Sequence, residues 1–317
     1  MKVEQKRAKR LLLKGPMTME SKQEIAMLGG DLRQYAAALR LGRENFRVRL
    51  WGTDRMGEGD SDVVLCRSCE EAVQGASATV LPLPASTDGL SLYAPLDSSE
   101  RHLRLSELLG MMGAGSLIVG GRIPEPFSHA AEGRGICVRD YFDSEEFQIE
   151  NAYTTAEAAI SIAMNSLSRN LCGARVAVTG FGRIAKHLVR LLRAMGAFVT
   201  VCARKESDLS WARSFGCDTI RLDGAPSVAS LSHGYDVIYN TVPHWLFDRS
   251  FLESVDRSTF LIDLASVPGG IDICAAKELS SNVLWATSLP GKYAPISAGE
   301  LIGDCVARIL REEVGNK

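Results

Sequence analysis

The sequence has no run of apolar residues approaching the roughly 18 that a membrane-crossing helix needs, which predicts a soluble protein with no membrane partner. It has no charge excess either: 36 Lys and Arg stand against 38 Asp and Glu, a formal charge of −2. No basic stripe follows the N-terminal segment, so a nucleic-acid surface is not indicated. Its 8 cysteines lie scattered through apolar segments, which suggests reduced thiols in a cytoplasmic protein. Cys66-Arg67-Ser68-Cys69 is the one C-x-x-C, and without a second ligand pair no metal is expected. The basic segment 2–14 encloses only Leu11, Leu12 and Leu13 and is followed by no small-residue cleavage site, so it does not read as a secretory signal. What remains is a protein whose partner is a small molecule.

The 317 residues and 46% hydrophobic content suit two domains with packed cores. Residues 1–23 read as a disordered basic tail, because patterned sequence begins only near Glu24; Met17 and Met19 are candidate starts.

The strongest signal is RVAVTGFGRIA, residues 175–185. Val176, Ala177 and Val178 are the short apolar run of a strand covered on both faces. Gly180 and Gly182 supply the tight turn and close backbone approach that a pyrophosphate requires, and Ala185, at the third small position of G-x-G-x-x-[GA], lets the next helix pack on its strand. The free N–H groups and positive end of that helix would face the phosphates. Leu188, Leu191, Leu192 and Met195 carry the helical period on, Gly196 ends it, and an apolar strand follows over 198–202. Strand, turn, helix and strand within about 30 residues make the motif a dinucleotide-binding prediction.

A fold selective for NAD places Asp or Glu at the tip of that second strand. Here the tip reads Ala203-Arg204-Lys205-Glu206-Ser207. A carboxylate would repel the extra phosphate of NADP, whereas guanidinium, ammonium and hydroxyl groups bind it. NADP is therefore expected, with Arg204 as the main selector beside Lys205 and Ser207, while Glu206 leaves the ribose-binding alternative standing.

Upstream, residues 25–28 read as a strand that turns through Gly29-Gly30-Asp31 into a helix over 32–41. This resembles a second Rossmann start, but it lacks the third spaced glycine, and Asp31 would put negative charge where a phosphate sits, so no nucleotide is assigned there. Asp31 is either the helix N-cap or a polar group facing substrate. Further strands are expected at 46–51, 78–83, 116–119 and 135–138, with 63–65 helix or strand, and the loop 82–89 stands at a strand end, where open α/β sheets place ligands. A helix is expected to begin around Asn151, capped by Thr155, at the mouth of a cleft where Asn151 and Thr155 could bind a carboxylate. Strands at 236–240, 260–266 and 283–286 then deliver polar loops to one edge. The cofactor-binding set is thus Gly180, Gly182, Arg183 and Ile184 at the turn, Arg204, Lys205 and Ser207 at the second strand, and Thr241, Val242, Pro243, Leu264, Ala265 and Ser266 at the later strand ends. The fold class is α/β: two Rossmann-like doubly wound domains with an interdomain cleft. Residues 24–148, joined by a returning C-terminal helix over 296–317, form the substrate domain and residues 149–295 the NADP domain.

Several motifs occur together along 25–310: Gly29-Gly30-Asp31-Leu32-Arg33-Gln34, Leu81-Pro82-Leu83-Pro84 with Asp88-Gly89, Asn151-Ala152 with Thr155-Ala156-Glu157, and Gly180-Phe181-Gly182-Arg183 with Ala203-Arg204. Asn240-Thr241-Val242-Pro243, Asp263-Leu264-Ala265-Ser266 with Pro268-Gly269-Gly270, and Leu289-Pro290-Gly291-Lys292-Tyr293-Ala294-Pro295 complete the set. Jointly they resemble the dipicolinate synthase A subunits. The resemblance implies NADP-linked oxidation of a dihydrodipicolinate-type ring to pyridine-2,6-dicarboxylate, together with a flavoprotein-like B subunit, in the mother cell of a sporulating bacterium. The long basic N-terminus and His244-Trp245 depart from the pattern and inherit no role.

Two substrate carboxylates require cations or N–H donors, which makes Arg33, Asn151 and Thr155 the substrate-binding candidates. Lys292 or Asp31 is the candidate for charge or protons near the ring, with Lys292 equally readable as an exposed loop lysine. His244, one residue past a loop expected on the nicotinamide side, is the remaining acid–base candidate and reads also as a packing or surface histidine. The competing functions are an NADP-linked hydroxy or amino acid dehydrogenase, for which no comparably placed histidine and carboxylate or lysine pair is seen, and a noncatalytic dinucleotide sensor, which would need no polar loops in the first domain. A homo-oligomer is compatible with the sequence.

Overall fold

A computed structural model describes residues 22–56, 61–99 and 102–315; residues 1–21, most of the segment read as a basic tail, lie outside them. The first half runs β1 Gln23–Leu28, α1 Leu32–Arg43, β2 Phe46–Trp51, β3 Val63–Leu65, α2 Cys69–Val73, β4 Ala78–Val80, α3 Leu105–Gly110, β5 Leu117–Gly120, α4 Glu125–Glu132 and β6 Cys137–Asp140. The second runs α5 Glu145–Ser166, β7 Arg175–Thr179, α6 Arg183–Ala194, β8 Phe198–Ala203, α7 Glu206–Ser214, β9 Asp218–Arg221, α8 Ala225–Ala229 and β10 Val237–Asn240. It ends with α9 Arg249–Ser254, β11 Phe260–Asp263, α10 Ile273–Glu278, β12 Val283–Trp285, α11 Leu289–Tyr293 and α12 Pro295–Gly315.

Each half builds one parallel six-stranded sheet, in the orders β3-β2-β1-β4-β5-β6 and β12-β11-β10-β7-β8-β9. This is the α/β, doubly wound, Rossmann-like architecture in duplicate. The strand order reverses between β1 and β4 and again between β7 and β10, so each sheet has its ligand crevice at the carboxyl ends of those strands. The central strands are covered on both faces: every residue of β10 and β11 is buried, and each reads as an apolar run closed by one polar residue, Asn240 or Asp263. On α6, Ala185, Leu188, Val189 and Leu192 are the buried stripe at helical spacing.

Two elements differ from the sequence reading, and the ambiguous segment 63–65 is a strand. Helix α5 starts well before Asn151: the Ser144 hydroxyl accepts from the Phe147 N–H at 3.3 Å, and Glu145 and Glu146 occupy the first turn, where the helix dipole favours them. Thr155 is therefore no cap. It lies inside the helix, buried, and its hydroxyl donates to the Asn151 carbonyl at 2.9 Å. The Pro-Gly-Lys-Tyr segment is the one-turn helix α11 rather than a loop.

The two halves share helices. Phe147 of α5 packs in the first core, while Ala156, Ala159, Ile160 and Ala163 further along it pack in the second. Helix α12 returns to the first sheet, burying Ile302, Val306 and Leu310 with Ile25, Val48 and Val80. Its glycines let it lie directly on α1: a Cβ on Gly299 would stand 2.4 Å from the Arg33 carbonyl oxygen, and one on Gly303 would stand 2.8 Å from Arg40 Cβ. No helix among the described residues is long and apolar enough to cross a membrane.

Gly299→Ala is expected to lower unfolding free energy by about 1–3 kcal/mol, read by urea titration, because α12 must lift off α1. Gly110→Ala, where a Cβ meets nothing within 4 Å, leaves stability unchanged or raises it.

Candidate active site

The two sheets present the same turn at the end of their first strand and use it oppositely. In the second sheet Gly180 has φ +87° and donates its N–H to the Cys202 carbonyl at 2.8 Å. A side chain there would strike the Thr241 hydroxyl, 2.5 Å away. Gly182 is the N-cap of α6, carries no capping side chain, and a Cβ on it would meet nothing within 4 Å. The first-turn N–H groups of α6 thus face free space, as a bound phosphate requires.

A buried polar chain fixes the loops around that space. The Thr179 hydroxyl donates to Asn240 Oδ1 at 2.6 Å, and Asn240 Nδ2 donates to Asp263 Oδ1 at 2.8 Å and to the Val242 carbonyl at 3.0 Å. Asp263 in turn accepts from the N–H groups of Ala265, at 3.0 Å, and Gly270, at 2.7 Å. All three side chains are fully buried, so each bond is costly to leave unmade. They hold Thr241, Val242 and Pro243, and likewise Leu264, Ala265 and Ser266, at the switch point. Thr241 is further tied by its hydroxyl to the Thr179 carbonyl at 2.8 Å. Ile184 packs behind the turn against the second core.

In the first sheet Gly29 makes the corresponding bond, N–H to the Trp51 carbonyl at 2.7 Å. The space above it is taken: Gly30 N–H donates to the Tyr93 carbonyl at 2.7 Å, and a Cβ on Gly29 would lie 2.8 Å from that same oxygen. Asp31 is the N-cap of α1, accepting from the Arg33 N–H at 3.0 Å. Its carboxylate also takes Arg33 Nε at 2.9 Å and Nη2 at 2.7 Å, while Nη2 reaches the Leu83 carbonyl at 2.5 Å. Burial works against the Arg33 charge, and Asp31 more than offsets it, holding the guanidinium above its ordinary value. Asp31 is thus the helix N-cap that the sequence allowed, and its oxygens are engaged by cap and cation.

The halves meet at Arg33. Gly291 of α11 lies against it so closely that a Cβ would fall 2.9 Å from Arg33 Nε. Lys292 follows, exposed and without an ion pair among the described residues. Asn151, half-buried, and Thr155 sit on α5, against which α11 packs. His244 goes elsewhere. It lines a cavity of about 800 Å³ with Arg204, Lys205, Trp245, Gly180 and Phe181, on the second-strand side of the turn; Arg33 and Lys292 are not in that lining. Arg204, Lys205 and Ser207 are exposed there, whereas Glu206 is held by Arg213 at 2.5 Å. Arg183 donates Nε to Glu145 at 3.0 Å, joining the first turn of α5 to the glycine turn; that hydrogen bond raises the Arg183 value and lowers that of Glu145. Sequence reasoning passed over Tyr93, Glu145 and the Arg33–Gly291 approach, all made by residues distant in the chain. Among the described residues no group of three or more His, Cys, Asp or Glu is placed to hold a metal.

Residues 24–142 match the family model for the N-terminal domain of the dipicolinate synthase A subunit. The A subunit of dipicolinate synthase from Bacillus subtilis is 28% identical over 290 residues, 91% of this chain and 96% of that protein. This chain resembles the dipicolinate synthase A subunits. The likeness extends to three dimensions: the crystal structure of the dipicolinate synthase A chain from Bacillus subtilis superposes with a TM-score of 0.82 at 26% identity, covering 94% of this chain and 99% of that one. An L-alanine dehydrogenase, 12% identical, shares the two-domain fold with a TM-score of 0.62 over 90% of this chain and 88% of its own. The dipicolinate synthase likeness thus spans both sheets.

Asp31→Ala removes the cap and leaves Arg33 buried without its counter-ion. A loss of about 3–5 kcal/mol is expected by urea unfolding, and Asp31→Asn, which keeps a capping oxygen, should lose less.

Proposed function

We propose that this chain is an NADP-dependent oxidoreductase that converts a dihydrodipicolinate-type ring to pyridine-2,6-dicarboxylate. The observation that carries the reading is the open glycine turn at Gly182, where no side chain caps the following helix, set in a two-domain fold whose halves meet at a buried arginine. Residues 149–295 hold the dinucleotide in this reading, and residues 24–148 with the C-terminal helix from 296 hold the substrate. Gly180 and Gly182 admit the pyrophosphate to the N–H groups of α6. Arg204, Lys205 and Ser207 take the extra phosphate, a choice supported by the pairing of Glu206 with Arg213.

Bound NADP supplies a hydride acceptor, and the protein's own task is to place the ring and handle charge. Arg33, held rigid by Asp31 and Leu83, binds one ring carboxylate; Asn151 and Thr155 line the same approach. Lys292 accepts the proton released as the ring becomes aromatic, since Asp31 is committed to Arg33 and His244 lies on the adenosine side. The similarity to the A component of a synthase supports a B-subunit partner, flavoprotein-like, and work in the cytoplasm of a sporulating mother cell.

By calorimetry NADP should bind at least about 10-fold more tightly than NAD, and Arg204→Ser should lower NADP affinity by about 10- to 100-fold while sparing NAD. Tighter binding of NAD would return the choice to Glu206. With freshly generated dihydrodipicolinate precursor, with and without a B subunit, the chain should reduce NADP as dipicolinate forms. Lys292→Ala should lose turnover and keep dinucleotide affinity; unchanged turnover would remove Lys292 from the mechanism, and binding without turnover under every condition would favour a sensor.

A further inference from the structure

We propose that Arg122 is the second carboxylate anchor of the substrate site, so that Arg33 and Arg122 hold a ring dicarboxylate by its two ends. The inference rests on the dicarboxylate reading given above and adds the residue that distinguishes two carboxylates from one. Arg33 commits Nε and Nη2 to Asp31 and Leu83, and its remaining Nη1 group can serve one substrate carboxylate. A second cation has to come from another strand end.

Arg122 stands just past the end of β5, the strand next to β4, on the carboxyl edge that carries Arg33. Its φ is +52°, a left-handed conformation rare for a residue with a side chain. Asp140 imposes it, accepting from the Arg122 N–H at 3.1 Å and the Ile123 N–H at 2.7 Å, and from the Phe142 N–H at 2.8 Å. The guanidinium is aimed as well: it lies over the Phe142 ring, 4.5 Å from the centroid, a contact that leaves the edge N–H donors free. No carboxylate pairs with it among the described residues.

The two arginines are linked by a short packed path. A Cβ on Gly121 would fall 2.8 Å from Leu83 Cδ1 and 2.7 Å from the Tyr141 ring, and Leu83 is the residue whose carbonyl takes Arg33 Nη2. Tyr141 is fully buried, and its hydroxyl has no hydrogen-bond partner among the described residues. Gly121 is therefore small because Leu83 and Tyr141 fill its side-chain space, and that packing sets Arg122 beside the β4 loop. Unlike the surface arginines 40, 139, 213, 249 and 311, each paired with a carboxylate, Arg122 is positioned and unspent.

The test compares equilibrium binding of pyridine-2,6-dicarboxylate and pyridine-2-carboxylate, with NADP present, to the full chain and to Arg122→Gly and Arg122→Lys. Glycine accepts the left-handed backbone without strain, so the variant keeps the turn and loses only the cation. Wild type should prefer the dicarboxylate. Arg122→Gly should weaken the dicarboxylate by about 10- to 100-fold, leave the monocarboxylate within about twofold, and Arg122→Lys should restore part of the loss. An Arg122→Gly protein that keeps the full preference overturns the anchor and leaves the substrate reading intact. A wild-type protein that does not distinguish the two ligands overturns the substrate reading and the anchor with it.

Discussion

A phosphate can rest on a helix N-terminus only where the chain leaves the first N–H groups unfilled. That constraint separates the two halves of this molecule. Both sheets bend from first strand to helix through a glycine that bonds back to the second strand, Gly29 to Trp51 and Gly180 to Cys202. After that the halves diverge. Gly182 offers neither side chain nor neighbour, whereas Asp31 caps its own helix and the Tyr93 carbonyl closes the turn above Gly30. One fold, used twice, yields one open turn and one closed by its own cap and a carbonyl.

The sealed turn gains a different use. Having no phosphate to admit, it can carry a carboxylate at the N-cap, and that carboxylate makes it possible to keep Arg33 charged while only 8% exposed. The guanidinium then meets Gly291 from the other half, where any larger residue would displace it. Helix α5 contributes to both cores, and α12 returns to pack on the first sheet, so the two halves share their helices.

The second sheet was legible because its signals are local: glycine spacing, small residue at 185 and apolar strands lie within one stretch of chain. The N-cap role of Asp31 was readable for the same reason, since its carboxylate lies in the motif itself. Tyr93 was not, because the residue that fills the turn comes from a loop more distant in sequence than any motif spans. The start of α5 was available in Ser144-Glu145-Glu146, a hydroxyl cap followed by two acids, but Thr155 with Glu157 imitates that pattern further along. That His244 lines the same cavity as Arg204 was not legible, because a strand end does not reveal which way its loop turns. Asn240 and Asp263 lie at strand ends, and burial spends them on each other and on the loops.

The most direct measurement is a crystal structure of the chain grown with NADP. The account predicts one dinucleotide per chain, its pyrophosphate against Gly180 and the N–H groups of α6, its extra phosphate beside Arg204, and its nicotinamide facing Arg33. A nucleotide over Gly29 and Gly30, or a nicotinamide turned away from the first half, would contradict it.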